Sequence, residues 1–517
     1  MSDTPYAWPA PGAADRLGVA TRHLRDVEDA VLTALRDGGY VEVAPPTADV
    51  AEVFVGAGDA PRWIDPGGRV RSLRADFTGP VARIAATRFR DHDGPLRLAY
   101  RGPVFRQHGV QVREEAQAGA ELFGVPGAKG DADVLGVVVS ALRRLGLVPR
   151  VVVGSVAVVD RVLPPTAEVR ACLDRRDGAA LLALPEVQAL DPRRRAAAVR
   201  LLSLSGGPDV IDAARATLPG CDDALDELAE LCAALPDVDV TVDLAHVRAP
   251  TYYTGAVFDV FVDGVGVPVA GGGRYDGLVG RYGPDRAAVG VAVRLDAVVA
   301  ARQGGAGRPD GALVVALPKG RLLKGLLARL GARGPSAEDL ASRRLLFPVG
   351  DVVFLPLKDP DVPAYVARGI ADIGVVGSDV LLEGDHDVLV PRRLSLGACR
   401  LCLAGRPDLD LSALHAAGRL RVASKYPTAT SRWLAARGHL ADVVQLSGSV
   451  EVSVLTGLAD AIVDVVETGS TLKENGLVVH DTVAEISARI VVNRAALALR
   501  GPKVAELLSL LEDPCAD

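Results

Sequence analysis

The stretch RQGGAGRPDG, Arg302–Gly311, sets four glycines and a proline between two long apolar-rich segments. Such composition has no periodicity with which to join a neighbouring core, and it marks a linker. It divides 517 residues into about 300 and about 200, and a chain of this length already exceeds what one core supports. The expected domains are therefore 1–301, a linker at 302–311, and 312–517, the last with two lobes.

After the linker, short β-branched runs alternate with helical ones. Gly311–Leu317 reads as a strand, followed by a Pro-Lys-Gly-Arg turn and a Leu-rich helix. Ala371–Ser378, Leu420–Ser424 and Ala461–Val466 continue the series. This alternation predicts α/β layers with mostly parallel sheets, whose ligands sit at the carboxyl ends of the strands. Before the linker the pattern differs. A helix is expected at about Arg22–Asp37, a short strand at Gly39–Pro46, and alternating apolar runs around Gly271-Gly272-Gly273 within 253–293. That part reads as an antiparallel sheet flanked by helices, with an Ala/Leu/Arg-rich helical insertion at about 160–235.

The 58 Lys and Arg against 65 Asp and Glu give a net charge of −7 without long runs, which is not the profile of a general nucleic-acid binder. The six cysteines are irregularly spaced and form no disulfide framework. Cys399 and Cys402, a lone C-x-x-C with apolar flanks, read as packing on a buried strand. No secretory leader is legible at the N-terminus, and the most apolar region, Leu135–Val159, is interrupted by Arg143, Arg144 and Arg150. The expectation is a cytoplasmic protein without nucleic-acid or membrane partners.

The sequence VDVVETGSTL, 463–472, carries the sharpest chemistry. A 5′-phosphate needs converging N–H donors without obstructing side chains. Gly469 allows close backbone approach, Thr468, Ser470 and Thr471 add hydroxyls, and a following helix offers amides. Asp464 and Glu467 precede the cradle, where carboxylates hold ribose hydroxyls or a Mg2+. The same Thr-Gly-Ser-Thr is also good helix-capping chemistry. Other polar turns favour the cradle: LPKGRL brings Lys319 and Arg321, ASKYP brings Lys425, and SGSVE brings Glu451.

These segments, together with DVPAYVARGIADIGVVGSDVLLE (361–383) and ARIVVNRAAL (488–497), resemble the ATP phosphoribosyltransferase family in order from Ala312 to Leu499. The resemblance implies condensation of ATP with phosphoribosyl pyrophosphate, with Mg2+, in a two-lobed fold like type II periplasmic binding proteins. It assigns Lys319, Arg321 and Lys425 to the leaving pyrophosphate, Asp464 and Glu467 to the ribose, with Asp464 a candidate for Mg2+. Residues 468–471 take the 5′-phosphate, and Arg321 and Glu451 meet ATP. The chain ends where a further C-terminal regulatory domain would begin in the long form, so it is similar to the short form.

LRADFTGPVARIAATR (73–88), RGPVFRQHGVQVREEAQAGAELFG (101–124), VRAPTYYTGAVFDVF (247–261) and GGGRYDGL (271–278) are similar to the class II catalytic core of histidyl-tRNA synthetase, and more so to its regulatory paralogue. Asp76, Thr78 and Gln117 then suit the ammonium of a histidine, Arg248 or Gln117 its carboxylate, and Glu121 and Tyr253 its imidazole, with Tyr252 nearby; Arg106 completes the set. The resemblance also shows erosion. His108 stands where an acid is usual, and Ala297 where an arginine would grip ATP phosphates. The implied role is a histidine sensor that inhibits the transferase, in a homo-oligomer of two or four chains. The alternative is a retained histidine-activating synthetase.

Overall fold

The computed structural model describes residues 9, 13–54, 56, 59–108, 111–248, 250–304, 311–342, 344–418 and 420–512; the side chain of His108 and linker residues 305–310 lie outside the described set. The chain divides into two compact units: Met1–Arg308 with Ala498–Arg500, and Pro309–Leu497 with Gly501–Asp517.

The first unit is built on a nine-stranded sheet. Its strands are β1 (Val41–Glu42), β2 (Leu96–His108), β3 (Gln111–Phe123), β4 (Arg150–Ser155), β5 (Ser205–Gly206), β6 (Asp239–Asp243), β7 (Ala256–Phe261), β8 (Ala270–Arg274) and β9 (Ala288–Arg294). They lie in the order β1-β2-β3-β9-β8-β7-β4-β6-β5. Leu98 and Tyr100 enter one apolar cluster and the intervening Ala99 another, so helices cover both faces, as the two-residue strand period requires. The helix α1 (Val19–Asp37) buries Val27, Val31, Leu32 and Leu35 at helical spacing, and it packs with α3 (Gly127–Arg144). Between them in sequence lies α2 (Thr78–Arg88).

Two expectations for this unit need correction. The sheet is mixed, because β1 pairs parallel to β2 and β4 parallel to β6. Parallel neighbours need a long crossover, and the helical insertion supplies it, with seven helices from Val156–Val162 to Asp222–Ala233. The expected strand at 39–46 is reduced to Val41–Glu42.

The Gly-rich strand β8 exists because other atoms occupy the space its side chains would fill. A Cβ on Gly271 would meet the Arg248 guanidinium and the Asp259 carboxylate, and one on Gly272 would meet the Gly290 carbonyl. Across the sheet Gly290 pairs with Glu121, whose carboxylate lies where a Gly290 side chain would be.

The second unit has two sheets. Strands β10 (Leu313–Pro318), β11 (Phe347–Val349), β12 (Val352–Leu357), β13 (Ile373–Gly377), β14 (Leu389–Arg393) and β20 (Ala488–Val492) make one, in the order β11-β12-β10-β13-β20-β14. Strands β15 (Cys399–Gly405), β16 (Arg421–Ser424), β17 (Asp442–Gln445), β18 (Ala461–Val466) and β19 (Val478–Ile486) make the other, in the order β17-β16-β18-β15-β19. Both are mixed rather than mostly parallel: β20 runs antiparallel to β13 and β14, and β15 antiparallel to β18 and β19. The chain crosses between the sheets after β14 and again at Ser487, the single residue separating β19 from β20. Returning strands of this kind cannot run parallel to their neighbours without a crossover helix, which explains the mixture.

Leu313, Val315 and Leu317 face one core of the first sheet while Val314 and Ala316 face another. That is why ALVVALP reads as one continuous apolar run. Short helices join the strands: α4 (Leu295–Arg302) closes the first unit, and α5 (Ser378–Glu383), α6 (Pro427–Ala436), α7 (Val452–Leu455) and α8 (Ser470–Glu474) lie in the second. Among the described residues no helix is long and apolar enough to cross a membrane.

Candidate active site

In the second unit a cavity of about 400 Å3 opens at the carboxyl end of β18. Ile462 packs into the same core as Cys402 and Ala404, while Val463 faces the opposite core. Asp464 falls on the Ile462 side and so emerges at the cavity, paired in register with Cys402. Its carboxylate accepts the Val465 amide at 2.8 Å. Burial pushes the Asp464 carboxyl above its ordinary range; the Val465 amide and Lys425 draw it back, and Glu451 pushes it up.

Residues 467–472 form the rim. Gly469 has φ +75°, a left-handed turn that starts α8 and that other residues adopt only under strain. The Thr468 and Ser470 hydroxyls lie 3.1 Å apart, and the Ser470 amide donates to Thr468 Oγ1 at 3.4 Å. The helix behind them has five residues, so what this turn offers an anion is its own amides and hydroxyls more than any helix dipole.

Arg321, just past β10, reaches the same cavity from the other sheet. Its Nη1 donates to Glu467 Oε1 at 2.6 Å and its Nη2 to Cys399 Sγ at 3.1 Å. Asp359 lies beneath this turn, where it accepts the Gly320 amide. Burial pushes the Asp359 carboxyl up, as does the charge of Asp379, against the pull of the Gly320 amide and Arg321. Glu451 lines the cavity from the turn before α7.

Of the three expected cations, Arg321 alone lines the cavity. Lys425 is exposed at the end of β16, near enough to act on Asp464. Lys319 is exposed at the end of β10 and is not part of the lining; its amide donates to the Leu357 carbonyl at 2.7 Å. Cys399 and Cys402 are buried on β15 in different cores. A three-residue offset on a strand points side chains to opposite faces, so the pair packs and does not chelate. Sequence reasoning did not single out the Cys399 contact to Arg321. It also passed over Asp359, Asp379 and Tyr426, although Tyr426 adjoins Lys425 in SKYP.

In the first unit, a smaller cavity of about 60 Å3 gathers Asp76, Thr78, Arg106, Gln117, Arg248, Tyr252 and Tyr253. Glu121 is the exception. It lies behind the wall, accepting from Thr78 Oγ1 at 3.0 Å and from the Tyr275 hydroxyl. Burial pushes its carboxyl up to about 8, against the pull of the Tyr275 and Thr78 hydroxyls. Tyr275, which lines the cavity, escaped sequence reasoning because RYD alone does not tell which side chain turns inward. The Tyr252 hydroxyl donates to Asp76 Oδ2 at 3.1 Å. Asp76 Oδ1 and Gln117 Oε1 are buried without a hydrogen-bond partner, two acceptors suited to an ammonium. Burial pushes the Asp76 carboxyl up, opposed by Tyr252, Arg106 and the Gly79 amide.

Arg248 differs from the expectation of a cation offered to a carboxylate. Its Nη1 is paired with Asp259. Burial disfavours both charges, yet Arg248 and His246 hold Asp259 down at about 2, and Asp259 in turn holds Arg248 above its ordinary range.

Residues 12–298 match the family model of histidyl-tRNA synthetase, and 358–513 that of ATP phosphoribosyltransferase. An ATP phosphoribosyltransferase of Thermus thermophilus is 46% identical over 204 residues, 39% of this chain and 96% of the relative. An ATP phosphoribosyltransferase regulatory subunit of Moorella thermoacetica is 37% identical over 325 residues, 58% of this chain and 83% of the relative. Among solved structures, an ATP phosphoribosyltransferase regulatory subunit/histidyl-tRNA synthetase from Bacillus halodurans C matches with TM-score 0.53 and 26% identity, covering 69% of this chain and all of that one. The chain therefore belongs to the ATP phosphoribosyltransferase family, with the transferase joined in one polypeptide to an N-terminal histidyl-tRNA-synthetase-like regulatory domain.

Proposed function

We propose that the cavity at the end of β18 holds phosphoribosyl pyrophosphate and that the N-terminal unit binds histidine and lowers the rate of the transferase. The observation that carries the first part is the convergence of Asp464, Glu467, the 468–471 loop and Arg321 on one space. The 5′-phosphate lies against the Thr468–Thr471 amides and hydroxyls, and Asp464 and Glu467 hold the ribose. Adenine N1 brings its own lone pair to the anomeric carbon; the C1–N1 bond forms as the C1–O bond breaks, and pyrophosphate leaves with that electron pair. The protein therefore has to align the reactants and stabilise the leaving charge, rather than supply a strong base. Arg321 does this from the cavity wall, Lys425 and Lys319 from its approaches, and Glu451 meets ATP.

Mg2+ fits the donors present. Among the described residues no group of three or more His, Cys, Asp or Glu could hold a metal. One or two carboxylates beside a phosphate seat, however, is how Mg2+ is held together with a phosphorylated substrate. Asp464 is its candidate ligand, and the ion would neutralise pyrophosphate charge.

Support for histidine as the effector comes from the unpartnered acceptors Asp76 Oδ1 and Gln117 Oε1 beside an aromatic wall. A free amino acid brings an ammonium to the first and a flat ring to the second. Coupling of about 1–3 kcal/mol would be ordinary for such regulation. The competing reading, histidine activation by ATP, meets an obstacle: Asp296 accepts Arg16 Nη2 and the Ala116 amide at 3.1 Å, and its neighbour Ala297 packs against the core. No cation replaces the missing arginine on α4 at that position.

The two-sheet arrangement with two crossings is read as the type II periplasmic-binding-protein-like architecture, the domains as 1–301 and 312–517, and the assembly as a cytoplasmic dimer or tetramer. Phosphoribosyl-ATP formation by the full chain, compared with an Asp464→Ala variant, tests the catalytic part. Unchanged turnover in the variant would remove Asp464 from the ribose site. Histidine-dependent ATP–pyrophosphate exchange without phosphoribosyl pyrophosphate would favour the synthetase reading.

A further inference from the structure

We propose that α5 sets the angle between the two sheets of the transferase unit, with Asp379 and Glu383 as positioning residues that bring Arg321 to the phosphoribosyl seat; this rests on the reading of 464–471 as that seat. Three observations along the six residues of α5 carry it. At its start, the Ser378 amide donates to the Ser487 carbonyl at 3.0 Å, and the Ser487 amide donates to Ser378 Oγ at 3.2 Å. Both serines are buried, and Ser487 is the residue at which the chain crosses between sheets. The helix is thus pinned to the hinge.

One residue on, Asp379 Oδ2 accepts the Tyr426 hydroxyl of the other lobe at 2.8 Å. At its end, the Glu383 carboxylate accepts the Thr428 amide at 3.0 Å and the Ala429 amide at 3.1 Å. It thereby caps α6 with a side chain from the opposite lobe, satisfying amides that a helix start leaves open. The contacts to the hinge, to Tyr426 and to the start of α6 all come from one short helix that follows the central strand β13.

Neither carboxylate lines the cavity, so neither is placed to touch substrate. Their effect runs through geometry. The phosphate loop belongs wholly to one lobe and Arg321 to the other, so the span from Arg321 to the leaving group depends on lobe angle. Asp379 also acts electrostatically on both Arg321 and Tyr426, which ties the tyrosine contact to the Arg321 turn.

The test uses the full chain with Tyr426→Phe, Glu383→Ala and the double variant; Tyr426→Phe keeps the ring and removes the hydroxyl alone. The double variant is expected to lose roughly ten- to hundred-fold in kcat, while KM and the directly measured Kd for phosphoribosyl pyrophosphate stay within about twofold. Glu383→Gln, which keeps one acceptor, should recover part of the loss. Wild-type kcat in the double variant would overturn the inference, as would a parallel fall of kcat and phosphoribosyl pyrophosphate affinity in Tyr426→Phe. Unaltered affinity in Gly469→Val, with both ties intact, would instead overturn the seat and with it this inference.

Discussion

Arg321 Nη1 lies 2.6 Å from Glu467 Oε1, joining the turn after β10 to the turn after β18 across the cavity. The side chains are 35% and 59% exposed, so the pair is a solvated one of little net worth and exchanges readily for a stronger anion. On the proposed reading, phosphoribosyl pyrophosphate displaces Glu467 as the anion that Arg321 meets. Arg321→Ala should lower kcat by about 10²–10³-fold, the usual cost of removing a donor from developing charge, while Tm changes little. Arg321→Lys should keep only part of the rate, because a point charge replaces a fork that also reaches Cys399. Steady-state kinetics with both substrates checks this.

Gly469 is a backbone requirement. A Cβ there would meet nothing closer than Val466 Cγ1 at 3.7 Å, but φ is +75°. Gly469→Ala should therefore cost about 1 kcal/mol in backbone strain. It should raise KM for phosphoribosyl pyrophosphate roughly tenfold as the loop amides turn away. Thermal melts and saturation curves on the same variant separate the two effects.

Glu121 makes the stability of the N-terminal unit depend on pH. Its folded pKa of about 8 lies above the ordinary value of 4.5, so between those values the folded state holds a proton that the unfolded chain releases. Its stabilising contribution is thus fully present below about 4.5 and is lost as pH rises towards and through about 8. Glu121→Gln should flatten the fall in Tm between about pH 5 and 8. An equally steep fall in that variant would assign it to other groups.

Asp76 is expected to meet the ammonium of the effector. Asp76→Asn should weaken histidine binding about ten- to hundred-fold, the range for losing a charged hydrogen bond. Titration calorimetry reads this, as does the half-inhibiting histidine concentration relative to each protein's own uninhibited rate. Arg248→Lys should weaken binding too, by freeing Asp259 from its partner rather than by losing a direct contact.

What the sequence revealed was local. Strand ends, the Gly469 turn and the Thr468–Thr471 hydroxyls follow from a few adjacent residues. The gathering of seven of the residues named in the N-terminal motifs around one cavity was legible too, because the resemblance is carried by short motifs. What it concealed depends on partners far along the chain. Tyr426 meets Asp379 across 47 residues, and Tyr275 meets Glu121 across 154. Glu121 falls behind its cavity because it faces Gly290 across the sheet, a register that its own segment does not encode. Strand directions were misjudged for the same reason: the crossing between sheets at Ser487 and the parallel β4–β6 pair are set by connections, not by strand composition.

The measurement that bears most directly on the whole account is the initial rate of phosphoribosyl-ATP formation by the full chain, with and without millimolar histidine. The account predicts Mg2+-dependent turnover of ATP and phosphoribosyl pyrophosphate that histidine suppresses, with suppression weakened in Asp76→Asn. A rate indifferent to histidine in the wild-type chain would contradict the union of transferase and sensor in one polypeptide.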